Sequence, residues 1–332
     1  MRIVVTGGAG FIGSHYVRSL CGGAYPAFAG AHLVVLDLLT YAGTRTNLTG
    51  CDVEFVHGDI RDADTVTRTL AGADVVVHFA AESHVDRSIA GAADFVSTNV
   101  VGTQVLLAGA LAAGVDRFVH VSTDEVYGSI DEGSWPETDP LAPNSPYAAS
   151  KAAAEQVVLA HHRTHGLDVR ITRCSNNYGP YQFPEKVIPL FITNLLDGRK
   201  VPLYGDGLNV RDWLHVDDHC RAVQTVLDRG RAGEAYNVGG GTELTNRQLT
   251  DLLLRACGAG EDMVQYVPDR KGHDRRYSVD PGKIRRELGF VPRHRFADGL
   301  AATVRWYAEN RSWWEPLLHR DGKRPLATMG AR

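Results

Sequence analysis

Cysteine is scarce and scattered: Cys21, Cys51, Cys174, Cys220 and Cys257 are the only five in 332 residues, and none forms a CxxC pair. That spacing excludes a disulfide framework and a zinc knuckle, and predicts reduced, mostly buried thiols. No basic block interrupts a chain of net charge -4, so a run of phosphates would find nothing to neutralise it and nucleic acid is not an expected partner. Uninterrupted apolar stretches of about 18 residues are lacking too. The opening MRIVVTGG reaches a glycine turn too soon for a signal sequence, which predicts a cytoplasmic protein.

What is present is an alternation. Short β-branched runs (RIVVT 2–6, LVVLD 33–37, VEFVHGD 53–59, DVVVHFA 74–80, RFVHVS 117–122, DVRITR 168–173) are separated by helical patterns at 11–20, 62–70, 94–113 and 147–165. Continuous apolar strands between amphipathic helices predict parallel strands covered on both faces, a doubly wound, Rossmann-like α/β sheet. Beyond Tyr178 the rhythm changes, with proline-bearing segments, the triplet Gly239–Gly241 and helical patterns near 244–256 and 296–310. The expectation is a dinucleotide domain over 1–178, a return segment near 214–240, and a smaller domain over most of 179–332 that packs on the sheet and closes a cleft.

Gly7, Gly10 and Gly13 stand in a GxxGxxG spacing between the first strand and helix. Glycines there let the backbone approach a pyrophosphate, whose charge meets free N–H groups at the helix start, including those of Phe11 and Ile12. A plain strand-to-helix turn is the alternative. Asp37, ending the second strand, sits where a carboxylate takes a ribose hydroxyl and repels a 2′-phosphate, which favours NAD over NADP despite Arg45 downstream. Asp59 and Ile60, ending the third, suit adenine contacts, with a helix N-cap as the other reading of Asp59.

Tyr147 and Lys151 in YAASK lie four apart on one predicted helix face. An ammonium beside a phenol lowers its pKa and makes a base for an alcohol. The helix follows a strand closed by Ser122 and Thr123, and directly after it come two neighbouring acids, Asp124 and Glu125.

Together TGGAGFIG, FAAESHVDRS (79–88), YAASK and NNYGP (176–180) resemble the extended short-chain dehydrogenase/reductase family. STDEVYG, RDWLHVDD (211–218) and DRKGHDRRYS (269–278) narrow the resemblance to nucleotide-sugar 4,6-dehydratases, over residues 2 to about 280. The resemblance implies a lyase acting on dTDP-glucose, with Glu125 as base at C5, Asp124 as proton donor to the C6 hydroxyl, Thr123 as donor to the C4 oxygen, and Tyr147 as base at the C4 hydroxyl, supported by Lys151. It implies NAD held by the glycine loop, Asp37, Thr40, Asp59, Ile60, Ala80, Ala81, Ser83, Thr98, Tyr147, Lys151 and Asn177. It places Ser83, Thr123, Asn176, Lys186, Val187, Pro202, Leu203, Tyr204, Arg211, Asn246, Arg270 and His273 around the nucleotide sugar. It also implies a homodimer through helices 94–113 and 147–165.

Several expectations are physical. Neighbouring residues on a straight strand point to opposite faces, so the strand must end near Ser122 for both acids to enter the cleft. Arg211 and Arg270 have the fork that fits a diphosphate, against a reading as ion-pair partners of Asp212, Asp269 and Asp274. His215 with His219, and His161, His162 and His165, raise a metal reading, but the zincin order is missing and dehydration needs no metal, so none is expected. A 4-epimerase, a decarboxylase and a non-catalytic dinucleotide binder are the competing functions. The first two typically lack one or both of the neighbouring acids, and the last tends to lose the tyrosine or lysine.

Overall fold

The structure is a computed structural model and describes residues 1–318. Its main sheet has seven strands, all parallel: β1 (Arg2–Thr6), β2 (His32–Asp37), β3 (Glu54–His57), β4 (Val75–His78), β5 (Arg117–Thr123), β6 (Val169–Cys174) and, much later in the chain, β10 (Glu234–Val238). Their spatial order is β10-β6-β5-β4-β1-β2-β3. The order reverses at β1, so the crevice beyond the carboxyl ends of β1 and β4 is where such a sheet takes a ligand.

Strand alternation explains why the runs are apolar throughout. Ile3, Val5, Val35, Val77 and Val119 face one layer, against Tyr16, Val17 and Leu20 of helix Phe11–Cys21 and Val216, Cys220 and Val223 of helix Val216–Arg229. Val4, Val34, Leu36, Val76 and Phe118 face the other, against Val66 and Leu70 of helix Ala63–Leu70, Leu106, Leu107 and Ala110 of helix Thr103–Ala113, and Val158 of helix Pro146–His165. Two-sided burial of this kind stabilises by roughly 1.5–3 kcal/mol per large aliphatic side chain.

Ala92–Ala113 is long and apolar enough to cross a membrane by length and composition, yet its Leu106, Leu107 and Ala110 are buried in the sheet's second layer. Its middle, Val96–Gly102, is wound wider than an α-helix. Gly102 fits there because a Cβ would meet Ile60 Cδ1 at 2.6 Å.

The remaining strands form two small sheets: β7 (Asn176–Tyr178), β9 (Val210–His215) and β11 (Glu243–Thr245) in the order β11-β9-β7, and β8 (Val201–Tyr204) paired in parallel with β12 (Val264–Val267). Helices Val187–Leu196, Asn246–Ala256 and Phe296–Glu309 enclose a separate core of Tyr178, Phe191, Ile192, Trp213, Leu249, Leu253, Leu300 and Tyr307. Helix Val216–Arg229 and β10 leave this lobe and return to the main sheet. The later helices begin and end close to the sequence patterns at 244–256 and 296–310.

Candidate active site

The glycine loop is shaped by what surrounds it. Gly7 has φ +69, and a Cβ on it would lie 2.5 Å from Ala80 N. A Cβ on Gly13 would lie 2.3 Å from Gly7 O. These contacts draw the loop onto the turn after β4 and the helix onto the loop. Gly10 caps helix Phe11–Cys21 without a side-chain acceptor, and the first turn carries no acid, which leaves the N–H groups of Phe11, Ile12 and Gly13 suited to an anion.

Asp37 holds this loop directly. Its two oxygens accept from Ala9 N (2.9 Å) and Leu39 N (2.8 Å), and burial still pushes the carboxyl upward. Arg45 lies 4.3 Å over the Phe55 ring, so its guanidinium is engaged away from Asp37. Thr40 is exposed just beyond, past Leu39 in the left-handed region at φ 53. Asp59 is not the helix N-cap of its alternative reading. Arg61 binds it in a fork, at 2.6 Å from Nη2, and holds the carboxyl low, while the N-cap of helix Ala63–Leu70 is Asp62. Ile60 is buried in the second core layer.

β5 ends at Thr123, one residue later than expected, and Asp124–Tyr127 turns away as a tight helical turn capped by the Thr123 hydroxyl. Thr123 Oγ1 accepts from Glu125 N (3.3 Å) and donates to Asp124 Oδ1 (3.2 Å). The turn rests on a buried frame that the sequence reading missed. Arg173 pairs with Glu155 (2.7 Å) and donates to Tyr127 Oη, which in turn donates to Asn237 Oδ1 (2.9 Å).

The two acids have different surroundings. Asp124 is 3% exposed, and its Oδ2 has no hydrogen-bond partner among the described residues. Burial first, then the negative charges of Glu125 and Asp212, push its carboxyl well above the usual range. Burial raises Glu125 as well, but its next neighbours are cations, Arg270, Arg211 and Lys186, which pull it back. Tyr277 Oη lies 3.4 Å from Glu125 Oε2.

Tyr147 is 9% exposed on helix Pro146–His165, which starts at Pro146 behind the N-cap Ser145. Its phenol does not behave as the four-residue spacing to Lys151 predicts. Burial and then the charge of Glu125 raise it well above the ordinary value, with a Thr123 hydrogen bond acting the other way. Lys151 instead donates to Val121 O (2.8 Å), and burial pulls its ammonium down to about 8. The spacing aligns the two side chains on a face, but the strand carbonyl takes the ammonium.

Asn99, beside the expected Thr98, ties the cofactor-side loop to the catalytic helix. It accepts from Glu82 N (2.8 Å) and donates to Glu82 O (3.0 Å) and Ser150 Oγ (2.9 Å). Ala80, Ala81 and Ser83 lie half-buried along that loop, and Lys186 donates to Ser83 O (2.9 Å) from the opposite wall. Asn177 pairs with His219 Nδ1 (2.9 Å), while Asn176 Oδ1 is buried without a partner among the described residues. His215 stacks on His294 (4.1 Å between ring centroids), and neither it nor His219 adjoins the paired acids by any bond among the described residues.

The arginines are not paired as the surface reading had it. Arg211 is 5% exposed, donates to the carbonyls of Val210 (2.7 Å) and Asp274 (3.0 Å), and lies 4.2 Å over the Tyr277 ring; Asp212 accepts instead from Gly240 N and Thr242 N. The Arg270 guanidinium reaches Asp86 (3.5 Å) rather than Asp274 or Asp269, which accepts from Arg270 only through the main-chain N–H (2.9 Å), and the Arg270 Nε is buried and unpartnered among the described residues. Asp269 accepts from His273, whose ring burial holds neutral, down to about 4. Pro202, Leu203 and Tyr204 line β8, Val187 opens its helix behind Lys186, and Asn246 opens the helix after β11. Among the described residues none of these five bonds to the acid pair through a side chain.

The unpartnered atoms of Asp124, Asn176 and Arg270, with the buried guanidinium of Arg211 and the half-buried one of Arg270 near one carboxylate, suit a polar, anionic ligand. A sequence model of the family described as GDP-mannose 4,6 dehydratase matches residues 4–303. The chain belongs to this family. Among its members, the chain is 62% identical over 325 residues to the dTDP-glucose 4,6-dehydratase of Streptomyces niveus, covering 97% of each chain. The dTDP-glucose 4,6-dehydratase of Streptomyces venezuelae, solved with NAD bound, is 67% identical and superposes with a TM-score of 0.94 over 96% of this chain and all of that one (100%). A UDP-glucose 4-epimerase from Thermotoga maritima, 34% identical, superposes at 0.87 over 94% of this chain and 100% of its own.

Proposed function

We propose that the chain is an NAD-dependent dTDP-glucose 4,6-dehydratase that forms dTDP-4-keto-6-deoxyglucose, a step of deoxysugar biosynthesis. The observation that carries this reading is the acid pair: two carboxyls on one turn beside Tyr147, both raised by burial, with negative neighbours adding to the rise at Asp124 and cations opposing it at Glu125. Bound NAD would supply the oxidation at C4 that acidifies the C5 proton and, once water has left across C5 and C6, the hydride that returns to C6, so that the C4 ketone remains in the product and the cofactor ends as it began.

Tyr147 is the base at the C4 hydroxyl, a role in which the positive charge of bound NAD+ would offset the burial that raises its phenol, and Thr123 holds the C4 oxygen through its hydroxyl. Glu125, kept ionisable by Arg270, Arg211 and Lys186, takes the C5 proton. Asp124, kept protonated by burial and its negative neighbours, donates to the leaving C6 hydroxyl. Environments that separate two adjacent carboxyls in this way assign acid and base without further machinery. Arg211 and Arg270 take the diphosphate, and Asp37 takes the adenosine ribose, which favours NAD.

The expected result is direct. Incubation with dTDP-glucose produces a 4-keto sugar, seen as a base-induced chromophore; epimerised sugar with no such product would overturn the reading in favour of a 4-epimerase.

The protein works as a homodimer in the cytoplasm. Ile89, Val96, Val101 and Leu111 are large apolar side chains left exposed on the helices around 85–113, a face that a second copy would cover. Sedimentation velocity is expected to give twice the 36.1 kDa chain mass, and Val101→Glu to shift it towards one.

A further inference from the structure

Asp274 is absent from every role assigned above, yet it is 5% exposed and fully engaged. Its Oδ1 accepts from Asn144 Nδ2 (2.5 Å) and its Oδ2 accepts from Tyr277 Oη (2.5 Å). Asn144 stands just before the catalytic helix, and Asp274 and Tyr277 belong to the loop after β12, so the string ties that loop to the start of the helix. At its end, Tyr277 Oη has two carboxylates within reach: Asp274 at 2.5 Å and Glu125 at 3.4 Å.

A phenol has a single proton to donate. Hydrogen bonds strengthen steeply as they shorten across this range, so the proton goes to Asp274 and Glu125 receives none from this neighbour. Arg211 over the Tyr277 ring and bonded to the Asp274 carbonyl fixes both partners of the short bond.

We infer that Asp274 is a positioning residue for the C5 proton transfer: by capturing the Tyr277 hydroxyl proton it keeps Glu125 free of a donor and able to accept the proton of the sugar. The inference rests on the dehydratase reading and on Glu125 as its base. A hydrogen bond to a carboxylate stabilises the charged form and weakens the base. Loss of Asp274 turns Tyr277 towards Glu125, and it also removes a negative neighbour that raises Glu125. Both effects act in one direction, and the base becomes weaker.

The test is a four-member cycle of the holoenzyme with dTDP-glucose: wild type, Asp274→Ala, Tyr277→Phe and the double variant, read as solvent deuterium incorporation at C5 across pH. Asp274→Ala is expected to lower the plateau rate about tenfold and to move the acid limb of the profile to lower pH. Appearance of bound NADH in a single turnover stays near the wild-type rate. In the Tyr277→Phe background, where no phenol proton remains, the same substitution should move the limb by less than half as much. Equal displacement in both backgrounds, or an unmoved limb, overturns the inference and leaves Asp274 a structural residue. Asp274→Asn, which retains an acceptor and the side-chain shape, provides the same reading at smaller size should the alanine variant fail to fold. A wild-type enzyme that makes no 4-keto product would instead sink the dehydratase reading itself.

Discussion

The two walls of the cleft are built on different principles. On the sheet side, the residues come from the carboxyl ends of β1, β2, β4 and β5, and hydrogen bonds fix them from within: Ala9 to Asp37, Thr123 to Asp124, Asn99 to Glu82 and Ser150. On the small-lobe side, Lys186, Arg211 and Arg270 come from three separate elements and lean on carbonyls or a single distant carboxylate. The first wall is set by strand order. The second is set by loops that only tertiary packing brings together, and it is the wall that presents cations. The proposed chemistry falls on the strand-built side and the proposed grip on the assembled side.

The sharpest way to break this division is Glu125→Gln. It is expected to reduce C5 deuterium incorporation by about 10²–10⁴-fold while NAD binding, followed by fluorescence, is unchanged. Near-normal exchange would remove the sheet wall from proton abstraction.

Glu155→Gln tests the frame beneath the turn. It leaves Arg173 charged and buried without its partner, at 2.7 Å in the wild type, and is expected to cost about 3–5 kcal/mol of stability, measured as a lowered urea midpoint. An unchanged midpoint would show that the turn does not depend on that pair.

Arg270→Lys probes the assembled wall and should have the smallest effect. Replacing a fork by a point charge is expected to raise KM for dTDP-glucose about tenfold with kcat nearly constant. A fall in kcat with KM unchanged would place Arg270 in the chemistry and blur the comparison.

The same division governs what could be read in the sequence. The strands were legible because two-sided burial makes them continuous apolar runs, and the glycine spacing was legible because backbone contacts such as Gly7 to Ala80 tolerate no side chain. The acid pair stood out because its turn begins where the apolar run of β5 stops. Tyr147 and Lys151 were found by helical spacing, but the spacing misjudged their electrostatics, since it carries no information on burial or on the competing carbonyl of Val121. The partner of Arg270 lies beyond sequence reach for a related reason: Asp86 is distant in the chain, whereas Asp269 and Asp274 are near neighbours. Asn99, Asn144, Asp274 and Tyr277 went unassigned although two of them lie inside the run DRKGHDRRYS, because a polar residue in a loop shows its role only through the atom it meets.

The amide of Asn99 reaches both the main chain after β4 and the helix that carries Tyr147. The proposed dinucleotide seat and the proposed alcohol base are therefore tied to each other through one amide. Chimeras follow from this: exchanging the lobe between relatives should retune which nucleotide sugar is accepted, whereas a graft whose junction falls between Asn99 and Ser150 should lose register and turnover together.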